Sequence, residues 1–180
     1  MANLKPFRDY DEHDVINLFA YSGASANKGT VVTVVGNGVN LLDATSLDNL
    51  SPYANSLSAQ YNVPWTVTAA ASGASKGAIV GMLLKDVRTF DENGERLIFN
   101  PRKAAEMDVI ISGQAVPVLT KGIVLVGGIV GTPNFGSGAA VANAGAGDLK
   151  VVDYSNATTC IGKFLGPTGG DGFALLKIEL

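Results

Sequence analysis

The sequence predicts a mainly all-β protein: a compact, glycine-rich β-barrel or β-sandwich with one short helix and an extended N-terminal arm. Three observations predict this class. Apolar and polar residues alternate with a period of two over residues 56–68, which a helix of 3.6 residues per turn cannot satisfy. Thirteen of the 22 glycines lie between residues 122 and 172, where they separate short apolar runs. An Asn-Gly pair at residues 93–94 is typical of a tight β-turn.

The composition describes a folded chain with few charges. Its 180 residues are enough for one domain with a buried core, and 47% of them are hydrophobic. Only 16% are charged, against about 25% in an average soluble domain. Two explanations fit this low charge. One is extensive subunit contact, because interface cores are depleted of charged residues. The other is a surface of uncharged polar residues. The net charge of −3 argues against a dedicated nucleic-acid-binding protein.

The sequence lacks the segments or residues that several classes of function need. The longest apolar run, residues 123–130, is much shorter than the roughly 20 residues that a membrane-spanning helix needs. The N-terminus shows no basic start followed by an apolar stretch, so no signal peptide is predicted. The one cysteine, Cys160, has no partner for an internal disulfide, and the one histidine, His13, leaves little for histidine-based catalysis.

We divide the chain into an N-terminal arm, residues 1–21, and a single β-rich domain, residues 22–180. The first fourteen residues are rich in charge, and Pro6 favours an extended backbone before it. Residues 15–21 are apolar and rich in β-formers, which favours a strand or extended arm over a short helix. In the alternative interpretation, 15–21 is an internal strand and only residues 1–12 are loose.

Local signals place the other elements in order along the chain. Pro64 lies on the polar side of the alternating run and predicts an edge strand or a bulge. A two-residue turn at Asn93-Gly94 would pair Phe90 with Leu97, although a longer loop stays open because the short turn sets two glutamates opposite each other. Further strands are predicted at 109–111, 114–119, 122–130, 139–143, 149–152, 160–165 and 173–179.

Two shorter patterns complete the assignment of elements. Residues 101–107 are predicted as a helix of about two turns, because Asn100 is suited to capping and Pro101 to the first helical position. The pair Lys-Gly occurs at residues 28–29, 76–77 and 121–122, each time before an apolar run. A glycine turn therefore opens a buried strand three times.

The motifs associated with catalysis lack their required context. Ser75 lies in a Gly-x-Ser-x-Gly pattern, but the following residues predict a strand where a nucleophile elbow needs a helix. The only histidine also precedes this serine, against the order of such triads. Ser25-x-x-Lys28 matches a penicillin-interacting motif whose companion motifs are missing.

Other candidate chemistry has simpler interpretations. Asp11 and His13 are able to face one ion from an extended segment, but a structural metal site normally needs four ligands. Solvated charge or contact with a basic partner is the simpler interpretation. Cys160 is expected to be a small buried hydrophobe. Tyr61 and Trp65 lie on the apolar face and are expected in the core, with sugar binding as the alternative.

Three segments, residues 7–20, 91–107 and 114–122, are similar to segments of small structural proteins of tailed bacteriophages that infect marine bacteria. Residues 77–84, followed by strands, resemble the head-decoration or cement proteins of such phages. This chain differs from the lambda-type members in its length and in its longer N-terminal segment.

The resemblance implies a virion protein on the outer surface of the capsid, made in the host cytoplasm, with no enzyme activity and no cofactor. Its expected partners are the major capsid protein and further copies of itself, as a homotrimer, with neither nucleic acid nor membrane. The N-terminal arm is expected to make the contacts. The candidate contact residues are Phe7, Arg8, Tyr10, His13, Phe19 and Tyr21.

Two alternatives of other classes accompany this interpretation. The first is a tail, neck or baseplate component, or a receptor-binding module that holds glycans through Tyr61, Trp65 or loop aromatics. The second is a serine hydrolase built on Ser75.

Overall fold

The computed structural model describes residues 3–35, 66–143 and 146–180, and most regular structure in these residues is β. One short helix, α1 (Pro101–Glu106), and two 3-10 turns, Lys76–Ala78 and Leu97–Phe99, accompany the strands. The strands are β1 (Asn3–Pro6), β2 (Val15–Ile16), β3 (Ala20–Tyr21), β4 (Val31–Val35), β5 (Thr66–Ala69), β6 (Ile79–Leu83), β7 (Asp86–Arg88), β8 (Val109–Ile111), β9 (Val118–Leu119), β10 (Lys121–Gly127), β11 (Gly138–Val141), β12 (Leu149–Val152), β13 (Gly162–Phe164) and β14 (Phe173–Glu179).

The strands form three sheets. The first sheet has the order β1-β10-β14-β13-β11-β12, and all its neighbours are antiparallel. The second sheet has the order β2-β9-β6-β4-β5-β3, with β3 and β5 parallel and its other pairs antiparallel. The third is a parallel pair, β7 and β8. This architecture confirms the predicted all-β class.

The first and second sheets share one hydrophobic core. Phe164, Leu176 and Ile178 of the first sheet and Met82 and Leu119 of the second belong to the same buried cluster, and none is more than 1% exposed. Strand β14 shows how the sequence builds this core, because alternate residues of the strand face the core and the intervening residues face outward. The predicted terminal strand at 173–179 is confirmed at both ends.

The far side of the second sheet is also covered. A second cluster packs Val32, Val67 and Leu83 against Val87 and Val116, so strand β4 is buried from both faces at its start. This explains why β4 is an unbroken run of valine and threonine rather than an alternating strand. A third, small cluster holds the helix against β8.

The N-terminal segment, predicted as an extended arm, pairs with strands of this body. Strand β1 pairs antiparallel with β10 at the edge of the first sheet, and Leu4 is fully buried in the shared core. Strands β2 and β3 pair within the second sheet. The pairing partner of β1 lies about 120 residues further along the chain, so no local sequence signal announces it.

The Asn93-Gly94 turn is longer than the two-residue turn predicted from the sequence. Phe90 bridges to Arg96, and Asp91 N–H donates to Glu95 O at 2.9 Å, so the loop holds three residues. Gly94 takes a left-handed φ of 82° at the third loop position. The predicted Phe90–Leu97 register is therefore wrong by one residue, and the longer loop left open by the sequence is the one found.

The helix is confirmed as α1, with Pro101 at its start. The side chain of Asn100 makes no capping hydrogen bond, while its backbone carbonyl accepts the N–H groups of Lys103 and Ala104. The strands at 109–111 and 149–152 have the predicted bounds, and those at 114–119, 122–130, 139–143 and 160–165 are shorter or shifted. Of the alternating run at 56–68, residues 56–65 lie outside the described residues.

The Lys-Gly pairs at 28–29 and 76–77 precede the buried strands β4 and β6, as predicted, whereas Lys121 and Gly122 are the first two residues of β10. Gly29 has a φ of 88°, and a Cβ atom there would lie 2.9 Å from the backbone of Asn3. This turn thus requires glycine for two reasons, its backbone conformation and the close approach of β1. The first Lys-Gly pair therefore also seats the N-terminal strand.

Candidate functional site

The six predicted contact residues divide into two groups. Phe7, Arg8 and His13 are exposed, with Phe7 at 56%. Tyr10, Phe19 and Tyr21 are half-buried and pack against the clusters of their own chain. The predicted contact role can therefore be carried by the first group without unfolding any part of the body.

Tyr10 fastens the N-terminal segment to the first sheet. Its hydroxyl donates to the carbonyl of Ile123 at 2.7 Å and accepts the N–H of Phe7 at 3.2 Å. Its ring lies against Gly122, where a Cβ atom would meet it at 3.0 Å. Burial raises the pKa of Tyr10, against the smaller lowering effect of the Phe7 N–H bond. Tyr10 is thus a structural anchor within one chain.

Phe19 and Tyr21 serve the second cluster in the same way. Both pack against the valines on the outer side of the second sheet. Burial raises the pKa of the Tyr21 phenol. The strand signal read from residues 15–21 is real, but these aromatic rings face this chain's own body.

A groove of about 410 Å³ lies beside strands β13 and β14, and we call it the lysine groove. Its charged lining comes from Lys76, Lys163, Lys177 and Glu179, and its far wall is the loop that carries Tyr154. Each of these side chains is placed by a regular element or by a hydrogen bond.

Two of the lysines are neighbours on adjacent strands. The register of β13 and β14 puts Lys163 directly opposite Lys177 on the outward face of the first sheet. Directly opposed residues have Cβ atoms about 4.5–5.5 Å apart, and like charges in such a pair are destabilising. Their inward neighbours Gly162, Phe164, Leu176 and Ile178 are buried, so the strands cannot turn to separate them.

Lys76 reaches the groove from the other side. Its N–H donates to the carbonyl of Thr158 at 2.7 Å, which ties the 3-10 turn to the loop wall. Lys121, the first residue of β10, lies opposite Glu179 in the β10–β14 register. Three lining lysines thus come from three separate stretches of sequence, and Lys121 lies beside Glu179.

Glu179 is the acidic member of this group. Lys177 Nζ lies 3.1 Å from its carboxylate. The hydrogen bond from Lys177, then the charge of the same lysine, and then the charges of Lys121 and Lys76 lower the pKa of Glu179. The carboxylate is therefore ionised at neutral pH. The three lining lysines and this glutamate sum to +2, on a chain whose net charge is −3.

Two exposed rings flank the lysine groove. Lys163 Nζ lies 5.1 Å from the ring centroid of Tyr154 and 5.5 Å from that of Phe135. Phe135 is 75% exposed and Tyr154 is 49% exposed. Both distances are within the range of cation–π attraction, which holds the lysine between the rings. The surface therefore offers positive charge and aromatic area together.

Sequence reasoning missed the lysine groove. Only the alternation of Lys177 and Glu179 with buried Leu176 and Ile178 marks an outward charged face. The remaining lysines are too distant in sequence for any pattern to bring them together. Cross-strand register, which no short motif specifies, creates the cluster.

The structure places Ser75 on an exposed turn. The 3-10 turn Lys76–Ala78 follows it, and strand β6 begins at Ile79, so no helix stands behind the serine. A nucleophile elbow needs that helix. Ser25 lies in an exposed loop. Tyr61 and Trp65, the candidate sugar-binding aromatics, lie outside the described residues.

Asp11 and His13 form a turn. The Asp11 carboxylate accepts the N–H groups of His13 and Asp14 at 2.8 and 3.1 Å. In the part of the chain that the structure describes, no three His, Cys, Asp or Glu side chains gather as metal ligands. Cys160 is buried at 6% exposure, and its thiol donates to the carbonyl of Gly162 at 3.0 Å.

Asp91 is a buried carboxylate with a structural role. It accepts the N–H groups of Asn93 and Glu95 within its own turn, and Lys103 of helix α1 pairs with it. The hydrogen bond from Lys103 is the main cause that lowers the pKa of Asp91. This contact ties the loop to the helix and leaves the carboxylate no free face for catalysis.

A scan against protein-family models and a search of curated proteins each found no match for this chain. Within residues 3–35, 66–143 and 146–180, no helix has the length and apolar character needed to cross a membrane.

Proposed function

We propose that this chain is a structural protein of a tailed-phage virion that decorates and stabilises the capsid by bridging neighbouring major capsid subunits. The proposal places it on the outer surface of the shell, as a homotrimer, without enzymatic activity. The similarity of residues 7–20, 91–107 and 114–122 to phage structural proteins supplies the virion context.

The observation that carries the proposal is the placement of three exposed phenylalanines. Phe7 follows strand β1, Phe99 ends the 3-10 turn before helix α1, and Phe135 lies in the loop beside β13. They are 56%, 80% and 75% exposed. Aromatic side chains are enriched among the residues that anchor protein interfaces. Anchors on three parts of a rigid body suit a protein that must hold more than one neighbour.

Rigidity supports the same role. Strand β1 and Tyr10 fix the N-terminal segment, so Phe7, Arg8 and His13 are presented on a firm base. A preorganised surface spends less free energy on ordering when it binds. Repetition of modest contacts over a symmetric shell then multiplies their effect through avidity.

The test is binding to expanded phage heads that lack this protein, measured by cosedimentation. We expect saturable binding by the wild-type chain and loss of binding when Phe7, Phe99 and Phe135 are all replaced by serine. The matched control is Val130→Ser, which changes another exposed apolar side chain. Failure of the wild-type chain to bind heads would contradict the proposal.

The exposed rings of Phe135 and Tyr154 beside Lys163 favour one alternative, a glycan-binding module of the tail or baseplate. Binding to host polysaccharide, lost in Phe135→Ala and Tyr154→Ala and accompanied by no affinity for heads, would favour that alternative. The hydrolase alternative predicts that a serine-directed fluorophosphonate labels Ser75. We expect no such labelling.

A further inference from the structure

The lysine groove carries charge that its own chain does not neutralise. Among the described residues, no carboxylate lies within ion-pairing distance of the lining residues Lys76 and Lys163. Lys163 and Lys177 also face each other across two strands, an arrangement that costs stability in the isolated chain. Unfavourable local arrangements of this kind are expected where a surface serves binding. The groove is therefore built to receive negative charge.

The chain itself presents negative charge on a second surface. Residues 8–14 carry one arginine and four carboxylates, a formal sum of −3 with His13 neutral. No described lysine or arginine lies within ion-pairing distance of these carboxylates. The turn is held by Asp11 and by the Asp14 carbonyl, which accepts the N–H of Thr120 at 2.8 Å. We call this surface the acidic turn.

The two surfaces lie at different positions along the first sheet. The acidic turn follows β1, which is the edge strand, whereas the lysine groove lies by β13 and β14. From β1 to β13 is three strand spacings, about 14 Å at roughly 4.8 Å each. Different surfaces that fit each other make a heterologous contact, and repeated contacts of that kind close into a ring when the rotation permits.

We infer that the lysine groove binds the acidic turn of a second copy of this chain. The opposite charges, +2 in the groove and −3 in the turn, favour this occupant, and both surfaces are presented by ordered backbone. The inference goes beyond binding to the shell, since it names the contact that joins copies of the chain. Its test uses the purified chain without phage heads, so its failure and the failure of the shell-binding proposal are distinguishable.

The experiment is sedimentation of three charge variants. The groove variant carries Lys76→Glu and Lys163→Glu, and the turn variant carries Asp9→Lys and Glu12→Lys. Each is expected to weaken self-association about 100-fold, because like charges then face each other across the contact. The combined variant has both sets of changes on one chain and is expected to restore association to within about tenfold of wild type, since opposite charges face each other again.

Two controls accompany these variants. Arg102→Glu with Lys150→Glu reverses two charges outside the groove and is expected to leave association unchanged. Raising the salt from about 0.1 M to about 1 M shortens the Debye length from about 10 Å to about 3 Å and is expected to weaken wild-type association. Circular dichroism checks that every variant keeps its fold.

Three results would overturn the inference. They are a wild-type chain that stays monomeric, a groove variant that associates as strongly as wild type, and a combined variant that fails to recover. Binding of poly-L-glutamate or an acidic polysaccharide to the groove of a monomeric wild-type chain would assign the groove to a different partner, which also overturns it.

Discussion

Replacing Leu4 with alanine tests whether the N-terminal segment is part of the folded body. Leu4 is fully buried, lies on β1 opposite Val126, and belongs to the core shared by the first and second sheets. A free arm would leave this side chain in solvent, where its truncation has almost no effect on stability. The two descriptions therefore predict very different free energies of unfolding.

The size of the effect follows from the atoms removed. Leucine to alanine removes three carbon groups, and each buried group contributes about 0.8 kcal/mol, which gives roughly 2.4 kcal/mol. The cavity left behind adds to this loss, and measured costs for such changes are about 2–5 kcal/mol. We expect a loss of about 3 kcal/mol of unfolding free energy for Leu4→Ala.

The assay is equilibrium unfolding in denaturant, with the midpoint and slope fitted separately. Phe7→Ala is the matched control, because Phe7 lies three residues away and is exposed; its expected cost is about 0.5 kcal/mol or less. A Leu4→Ala variant as stable as the wild type would refute the placement of β1. Point variants are needed here because deleting residues 2–13 would remove a sheet strand along with any contact surface.

Three further predictions concern the body of the protein. Gly29→Ala is expected to cost about 1–2 kcal/mol in unfolding free energy, because the residue has a left-handed φ and contacts β1, while Gly166→Ala, which has open space, is expected to be nearly neutral. Asp91 has a lowered pKa in the folded state, so its stabilising effect is present above its unfolded pKa of about 4 and lost as pH falls through the folded value. Asp91→Asn should therefore destabilise the protein at neutral pH and flatten the acid limb of unfolding free energy against pH. Cys160 is buried, so a thiol reagent should label it far more slowly in the native than in the denatured protein.

For each of these three predictions, one result would contradict it. A stable Gly29→Ala variant would show that the turn tolerates a side chain. An Asp91→Asn variant with an unchanged acid limb would remove the ionised Asp91–Lys103 pair as a source of stability. Equal labelling rates for the native and denatured protein would show that Cys160 is accessible.

Local signals were enough for elements whose structure depends on neighbouring residues. The alternation over residues 173–179 predicted β14 at both ends, because a strand with one buried face must alternate. Pro101 at the first helical position predicted α1. The loop after Asp91 is one residue longer than the sequence pattern predicts. The buried Asp91 carboxylate accepts the N–H groups of Asn93 and Glu95, and these contacts leave no signal in the sequence pattern.

The pairing of strands that are distant in sequence could not be predicted from local sequence patterns. The segment at residues 1–21 has the composition of an arm, yet Leu4 fits a core position opened by β10, more than 100 residues away. The lysine groove likewise combines Lys76, Lys163 and Lys177, which become neighbours only through strand register. Tertiary packing decided both outcomes, and it overrides local composition.

The most direct test of the proposed function is an electron-microscopy map of the phage particle that carries this protein. The account predicts density for the two-sheet body on the outer surface of the head, over the junctions between major capsid subunits, with Phe7, Phe99 and Phe135 facing the shell or neighbouring copies. Density for this chain in the tail, neck or baseplate, or none on the particle, would contradict it.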